Sequence, residues 1–479
     1  MSALGLVMFA VAMILIIATG LPVYAVLLAV AALFGALGIA LGAFDAALLQ
    51  ALPLRIVGLL EHDLLQALPL YAFIGALLNR LPLAALLQRA GQRLFARSAA
   101  SGELAALSVG ALLAPMNGSV GASLHTLARS IVPALAAGGT PSARSAATVC
   151  VASTLGIVIP PSLVLLLLGD AMMRAHTEAV NLSHAAVRIV NTQDVMRAAL
   201  LPGLAVLLIA WALAAWGARS TAPAPRVALS GGELWAAVGV TAIIAGLLGG
   251  VALGRLYAVE AAASGALLLA AGACIGGGLG RSRWRLVLHD TMALTGALFA
   301  LLIAATSFSL IVRAFGADRL IAEGLHALAG RPALLLPSVL GGLIACSFVL
   351  DAFEMIFLVI PLVMPPLLVA VDDAAWVAAL TLLVLQLGFL LPPFGYALVM
   401  SRSLLPVRVG TRALARALAP QLLAQALLIG AVLAFPQITR WARAAESAPP
   451  ASAAADETER LMQEAIRAQQ QERAAPDAH

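Results

Sequence analysis

The sequence predicts an all-α integral membrane protein with two inverted repeats, each containing a re-entrant helical hairpin and a broken helix. Three observations support this fold class. The 479 residues are 62% hydrophobic and 11% charged, with a mean hydropathy of +1.02, which excludes an ordinary soluble domain. Two apolar stretches are interrupted before they reach the roughly 20 residues that a spanning helix needs. The motif LGIVIPP at 155–161 recurs as LGFLLPP at 387–393.

Residues 1–100 are predicted to form N-terminal membrane helices. The first 20 residues lack a basic start and a small-residue cleavage motif, so we expect a retained first helix rather than a signal peptide. Arginines cluster at 80–97, 281–285 and 402–416, which the positive-inside rule places in the cytoplasm. The neutral or acidic connections around Asp63, 170–195 and Asp372 are expected outside. These arginine-rich loops account for the net charge of +5 without any binding of nucleic acid.

Residues 101–205 contain the first interrupted elements, a hairpin at 101–137 and a broken helix at 145–169. Residues 206–332 are predicted to be a linker followed by membrane helices of the second repeat. Residues 333–438 hold a second hairpin at 333–371, a second broken helix at 376–400 and a last helix. A polar C-terminal tail is expected at 439–479.

The two motifs are separated by 232 positions, and this offset relates other features as well. It places Ser119 in one hairpin tip on Asp351 in the other, and Pro133 on Pro365. It also places an expected inside loop on an expected outside loop, which indicates an inverted-topology repeat. Interrupted helices at matching positions of such repeats point to a substrate site near the bilayer midplane.

The interruptions carry the chemistry of a possible site. Irregular backbone at membrane depth must be buried in protein or line a wet cavity, and proline leaves carbonyl groups without a partner. These carbonyls, with the side chains of Asn117, Ser119, Ser123, Thr154 and Ser162, form a set of hard oxygen donors suited to an alkali cation. Helix N-termini that begin after each break suit an anion such as a carboxylate. The parts therefore favour a cation-coupled carrier of an anion.

Two acidic residues, Asp351 and Glu354, lie in the second interruption. An intramembrane carboxylate is a functional candidate by default, and these two could bind substrate or carry protons. The alternative is a helix-capping pair near the mouth of the hairpin.

Other function classes find little support. The sequence has no HExxH motif, no serine elbow and no P-loop, and it contains no lysine, so we expect no enzyme activity. Cys150, Cys274 and Cys346 lack the spacing of a metal site. A channel would show polar faces on several full spans, whereas polarity here concentrates at the paired breaks.

The motifs resemble the large membrane subunit of tripartite ATP-independent periplasmic (TRAP) transporters, also called DctM. The resemblance rests on NGSVGA at 117–122, the run 156–162 followed by Gly169, LPG at 201–203, EAAA at 260–263 and LPPFG at 391–395. It extends from about residue 21 to residue 435. DAFE at 351–354 and the segment 169–178 are most similar to the branch labelled mannitol/chloroaromatic.

The resemblance implies a multi-pass protein of the bacterial inner membrane that imports an organic acid on a sodium gradient. It implies two partners, a small four-helix membrane subunit and a periplasmic substrate-binding protein, and no cofactor besides Na⁺. It also implies the elevator architecture of the ion-transporter superfamily, in which the hairpins and broken helices (the transport elements) move against the other helices (the scaffold).

The resemblance also assigns residues to sites. One cation site would involve the first repeat and the other the second. Four further residues are assigned to substrate binding from their own chemistry, as hydroxyl groups at the interruptions or as intramembrane carboxylates. The cation-binding residues are Asn117, Gly118, Ser119, Gly156, Pro160, Pro161, Gly388, Pro392, Pro393 and Gly395, and the substrate-binding residues are Ser123, Ser162, Asp351 and Glu354. The family tip commonly reads Ser-Gly-Ser-Ser, whereas Asn117 and Val120 replace its first and last serines here.

Two alternatives remain open at this point. A stand-alone Na⁺- or H⁺-coupled carboxylate symporter of the same superfamily would have the same hairpins. A membrane channel or scaffold subunit is the alternative from a different class.

Overall fold

The computed structural model describes residues 2–61, 63–117, 119–183, 190–218, 228–252, 254–275, 280–329, 332–404 and 409–441. Within these ranges the chain is α-helical and forms no β-strand. The helices are α1 (Ser2–Thr19), α2 (Val23–Ala40), α3 (Ala51–Leu60), α4 (Ala67–Arg80), α5 (Leu83–Leu94), α6 (Ser101–Leu113), α7 (Val120–Ala137), α8 (Ser142–Val158), α9 (Leu163–Ser183), α10 (Thr192–Gly217), α11 (Gly231–Ala252), α12 (Ala258–Ile275), α13 (Arg281–Ala314), α14 (Ala317–Ala329), α15 (Pro332–Cys346), α16 (Ala352–Ala370), α17 (Ala374–Leu390), α18 (Tyr396–Leu404), α19 (Thr411–Ala434) and the single turn Gln437–Arg440.

The described helices are those of a multi-pass membrane protein. Eight candidate spans are long and apolar enough to cross a bilayer, and five further apolar helices are shorter. One of the candidates, Ser142–Ser183, contains the break between α8 and α9. Helices α4 and α5 meet at a bend of 70°.

Helices α8 and α17 form the centre of the molecule. Nearly every side chain of both helices is buried, as expected for helices that have no polar face. In the apolar parts of helices α10, α11 and α19, by contrast, at most a third of the residues are buried, as expected for helices with a face toward lipid. The two central helices are therefore surrounded by protein, and the peripheral ones separate them from the lipid.

The internal repeat is visible in the helix bounds. Helix α8 begins at Ser142 and ends at Val158, and α17 begins at Ala374 and ends at Leu390, so both ends are 232 positions apart. The starts of α7 and α16 differ by the same 232. Contacts between helices repeat in the same way, because α2 packs on α13 while α4 packs on α12. The second repeat begins at α11, the counterpart of α1.

A hydrogen bond joins the two repeats at equivalent positions. The Gln386 amide lies 3.5 Å from the Thr154 hydroxyl, and the two residues are 232 positions apart. Gln425 of α19 donates to the Gln386 side-chain oxygen at 2.9 Å and to the Leu383 carbonyl at 3.1 Å. The contact of equivalent residues places the pseudo-two-fold axis between α8 and α17.

Two predicted boundaries need correction. The broken helix expected at 145–169 spans 142–183, because the polar stretch after Asp170 is helical rather than a loop. Its charges fit a helix, since Asp170 and Arg174 pair one turn apart. The boundary expected at 205 falls inside α10, which starts at an Asn191–Asp194 capping box and passes through Pro202.

Candidate transport site

Each hairpin has a non-helical tip at which a capping residue starts the second helix. In the first hairpin Ser119 caps α7, with its hydroxyl accepting a hydrogen bond from the Ala122 N–H at 3.1 Å. In the second hairpin Asp351 caps α16, accepting from the N–H groups of Phe353 at 2.8 Å and Glu354 at 3.2 Å. The predicted correspondence of Ser119 with Asp351 is therefore a correspondence of two helix caps.

The central helices break at the repeated proline pairs. Helix α8 ends at Val158 and α17 at Leu390, in each case just before the two prolines, which cannot donate a helical hydrogen bond. Pro160–Pro161 and Pro392–Pro393 are both joined by a cis peptide bond. Ser162, whose side chain is fully buried, accepts from the Leu165 N–H at 3.1 Å and so starts α9.

Each break lies directly against the hairpin tip of the same repeat, and a glycine makes this contact possible. A methyl group at Gly156 would lie 2.5 Å from the carbonyl oxygen of Ala114, in the first tip. A methyl group at Gly388 would overlap the hydroxyl of Ser347, in the second tip. The two glycines are equivalent under the offset of 232, so the fold uses the same close approach twice.

A small void lies where the first tip meets the first break. Its volume is about 10 Å³, and its lining includes Ser119, Ser153 and Gly156. This volume fits one water-sized particle, which is also the size range of a monatomic cation. The structure thus places Ser119 and Gly156 at the same void. Gly118 lies outside the described residues.

Two buried polar side chains of the first hairpin have unsatisfied hydrogen-bonding groups. Asn117 is 1% exposed, and neither its amide nitrogen nor its oxygen finds a hydrogen-bond partner among the described residues. The Ser123 hydroxyl, on a side chain that is also 1% exposed, is in the same state within the described ranges. Such groups are costly to bury without a partner, which is the usual mark of a site for an ion, a water or a ligand.

The carboxylates of the second tip form a reciprocal capping box. Glu354 accepts a hydrogen bond from the Asp351 N–H at 2.9 Å, while Asp351 accepts from the Glu354 N–H. The capping alternative for this pair therefore describes their geometry. Gly395 closes the second break, since its N–H donates to the Leu391 carbonyl at 2.9 Å and a methyl group there would lie 2.6 Å from the Phe389 carbonyl oxygen.

The two breaks differ in exposure. Pro160, Pro161 and Ser162 are buried, whereas Pro393 and Phe394 are exposed. Tyr396, at the start of α18, links the second break to the first hairpin: its hydroxyl would lie 3.3 Å from a methyl group on Gly121. The arrangement is asymmetric, with the first break enclosed and the second accessible.

The sequence did not reveal a polar cavity of about 370 Å³ between α3, α9, α13 and α16. Arg55, Arg174 and Arg313 line it, along with the hydroxyl groups of Thr306 and Ser309. Arg313 of α13 binds Glu178 of α9 at 2.6 Å and donates to the Pro361 carbonyl of α16 at 2.7 Å. These contacts join segments more than 40 residues apart, and no short-range sequence pattern predicts them.

Comparisons with known proteins agree with this architecture. The family model described as "Tripartite ATP-independent periplasmic transporter, DctM component" matches residues 10–438. The structure is similar to the crystal structure of the YdaH transporter of Alcanivorax borkumensis, with a TM-score of 0.53 and 17% identity, covering 87% of this chain and 98% of that one. At this identity the likeness establishes the fold alone. No curated protein matches the sequence significantly.

Proposed function

Because the chain belongs to the family of DctM components of tripartite ATP-independent periplasmic transporters, we propose that it imports an organic acid on a sodium gradient. It is a multi-pass inner-membrane component of a secondary transporter and not an enzyme. The observation that carries the proposal is the duplicated contact of a hairpin tip with a broken helix, at Gly156 and at Gly388.

Sodium as the coupling ion is supported by the chemistry of the first contact. The void at Ser119, Ser153 and Gly156 has the size of a single ion, and its polar side chains are hydroxyl groups. Oxygen donors from hydroxyls and backbone carbonyls suit a hard cation. The equivalent contact at Gly388, with Pro392, Pro393 and Gly395, is our candidate for a second sodium site.

An organic acid as substrate is supported by the charge of the 370 Å³ cavity. Its three arginines face two carboxylates, those of Asp170 and Glu178, which leaves an excess of positive charge. The cavity also has apolar walls, including Ile356 and Phe357, that suit the hydrocarbon part of such an acid. We propose that this cavity admits the substrate before it reaches Ser123, Ser162, Asp351 and Glu354.

An elevator motion is supported by packing contacts between the two repeats, in which each hairpin contacts the broken helix of the other repeat. Helix α7 of the first hairpin packs on α18 of the second broken helix, and α16 of the second hairpin packs on α9 of the first. The four transport elements are therefore interlocked and suited to move as one body. Arg313 on scaffold helix α13 holds Glu178 and Pro361 of that body, and we propose that these bonds break during the motion.

The family works with a small membrane subunit and a periplasmic binding protein. We propose that this chain does so as well, and that it belongs to the mannitol/chloroaromatic branch, which DAFE at 351–354 supports. The test is uptake of a panel of labelled carboxylates by proteoliposomes that contain the chain, its small subunit and its binding protein. An inward sodium gradient is compared with an inward proton gradient.

We expect uptake that requires both sodium and the binding protein. Uptake without the binding protein would instead establish the stand-alone symporter. Uptake driven by protons alone would remove sodium from the proposal. Ion conductance without gradient-driven accumulation would favour a channel, and silence under every gradient with an intact, folded complex would contradict the transport proposal.

A further inference from the structure

A second large cavity, whose lining shares no residue with the void at the first break, lies at the ends of four helices. Its volume is about 450 Å³, and it is bounded by the starts of α6, α8 and α19 and by the last turn of α10. The polar side chains that line it are Glu103, Arg144, Thr148, Arg416 and Gln421, with Trp216 among the remaining residues. The rest of the lining is mainly apolar, so the cavity combines a few polar side chains with apolar walls.

Arg144 holds the inner wall of this cavity together. It binds Glu103 of α6 at 2.5 Å and donates to the carbonyl groups of Ala214 at 2.8 Å and Gly217, both in the last turn of α10. The Glu103 side chain is only 4% exposed, so its charge is neutralised by Arg144 rather than by water. The carboxylate in the cavity is therefore already satisfied.

One buried polar group in the cavity is not satisfied. Gln421 is 6% exposed, and its amide nitrogen has no hydrogen-bond acceptor among the described residues. Arg416 lies five residues earlier on α19, where it is exposed and lines the mouth of the cavity. The buried amide donor calls for an acceptor inside the cavity, and the positive charge of Arg416 at the mouth favours an acceptor that bears negative charge.

The position of the cavity indicates where such an acceptor comes from. The starts of α6 and α19 adjoin the arginine clusters at 80–97 and 402–416, which are expected on the cytoplasmic side. Helices α10 and α19 flank the opening and expose apolar residues beyond it, including Leu204, Leu208, Leu423 and Leu427. A polar pocket at the cytoplasmic end of two lipid-facing helices has the layout of a phospholipid site, with the headgroup inside and the acyl chains along the helices.

We propose that this cavity binds the phosphate of an anionic phospholipid from the cytoplasmic leaflet. Two guanidinium groups and one carboxylate leave one positive charge, which matches the single negative charge of a phosphatidylglycerol headgroup. Arg416 and the Gln421 amide donate to the phosphate, and Arg144 keeps Glu103 from repelling it. The proposal is independent of the ion and the substrate that the protein transports.

The test is lipid binding to the purified full-length chain, followed by native mass spectrometry. Phosphatidylglycerol is titrated against phosphatidylcholine with the same acyl chains, and glycerol 3-phosphate serves as the headgroup without chains. The variants are Arg416→Gln and Gln421→Leu, with Arg412→Gln as the matched control. Arg412, like Arg416, is exposed on α19, but it does not line the cavity. Size-exclusion chromatography checks that each variant is folded.

We expect the first phosphatidylglycerol to bind more tightly than phosphatidylcholine, and Arg416→Gln to weaken it about fivefold. Gln421→Leu should weaken it as well, while Arg412→Gln should not. Equal binding of the two lipids, or equal losses in Arg416→Gln and Arg412→Gln, would overturn the proposal. So would normal binding by Gln421→Leu. Glycerol 3-phosphate binding as tightly as the lipid would reassign the cavity to a soluble anion.

Discussion

Gly156→Ala should disable transport while leaving the protein folded. The added methyl group would lie 2.5 Å from the Ala114 carbonyl oxygen, 2.6 Å from the Ala114 carbonyl carbon and 3.0 Å from the Pro115 nitrogen. All three atoms are backbone, so no side chain can rotate away. The hairpin tip must retreat by about 0.9 Å, which is the difference between 2.5 Å and the 3.4 Å of ordinary contact.

A retreat of this size is large for a binding site. It exceeds the roughly 0.5 Å within which a constellation of ligands must be held. Misplacement by about 1 Å typically costs on the order of a hundredfold in rate, and overpacking costs about 1–3 kcal/mol of stability. We therefore expect the initial uptake rate at limiting sodium to fall roughly a hundredfold. Raising the sodium concentration should recover part of the loss.

The matched control is Gly296→Ala in α13. Gly296 is also a helical glycine, but nothing lies within 4 Å of a methyl group placed there. This variant should keep normal uptake and gain about 0.4–1 kcal/mol in stability. Both variants are assayed in the complete proteoliposome system, and their melting temperatures are measured in detergent. Wild-type uptake and wild-type sodium dependence in Gly156→Ala would refute the proposed role of the contact.

Three further predictions concern the caps and the axis between the repeats. Ser119→Ala should abolish uptake and lower the unfolding free energy by about 1 kcal/mol, because it removes the cap of α7. The control Ser230→Ala removes a similar cap from α11 and should lower stability without affecting uptake. Uptake that persists in Ser119→Ala would remove Ser119 from the cation site. Asp351→Ala should be less stable than Asp351→Asn by about 1 kcal/mol of unfolding free energy, because asparagine keeps the helix cap. An unchanged pH profile of uptake in Asp351→Asn would exclude Asp351 as a proton carrier. Gln386→Leu should destabilise the protein by about 1–3 kcal/mol, because it removes the side-chain oxygen that accepts a hydrogen bond from the buried Gln425 amide. A wild-type melting temperature in this variant would show that the hydrogen bond contributes nothing to stability.

The sequence was most informative where the interruptions are local. The recurring glycine and proline pattern located both broken helices, and the offset of 232 proved to relate helix starts and ends as well as motifs. Proline and glycine act on the backbone within a few residues, so their effect can be predicted without knowledge of the tertiary structure. For the same reason Ser119 and Asp351 could be recognised as equivalent before their caps were seen.

The sequence was least informative where distant segments meet. The stretch after Asp170 has the composition of a solvated loop, but it continues α9, and His176 in it is 2% exposed. Arg144 binds Glu103, which is 41 positions away in the sequence, and Arg313 binds Glu178, which is 135 positions away. One sequence contains no signal for such pairs. Gln386 could have been noticed, since an amide inside an apolar span needs a partner, yet only the fold identifies Thr154 and Gln425.

The bond between Thr154 and Gln386 also bears on why the two halves are one polypeptide. A residue on a two-fold axis meets its own copy, so a dimer of identical subunits would place threonine against threonine there, or glutamine against glutamine. The fused chain instead places an amide donor on one side and a hydroxyl acceptor on the other. Covalent fusion thus frees each half to specialise, and the enclosed break at Pro160 and the accessible break at Pro393 show how far the two have diverged.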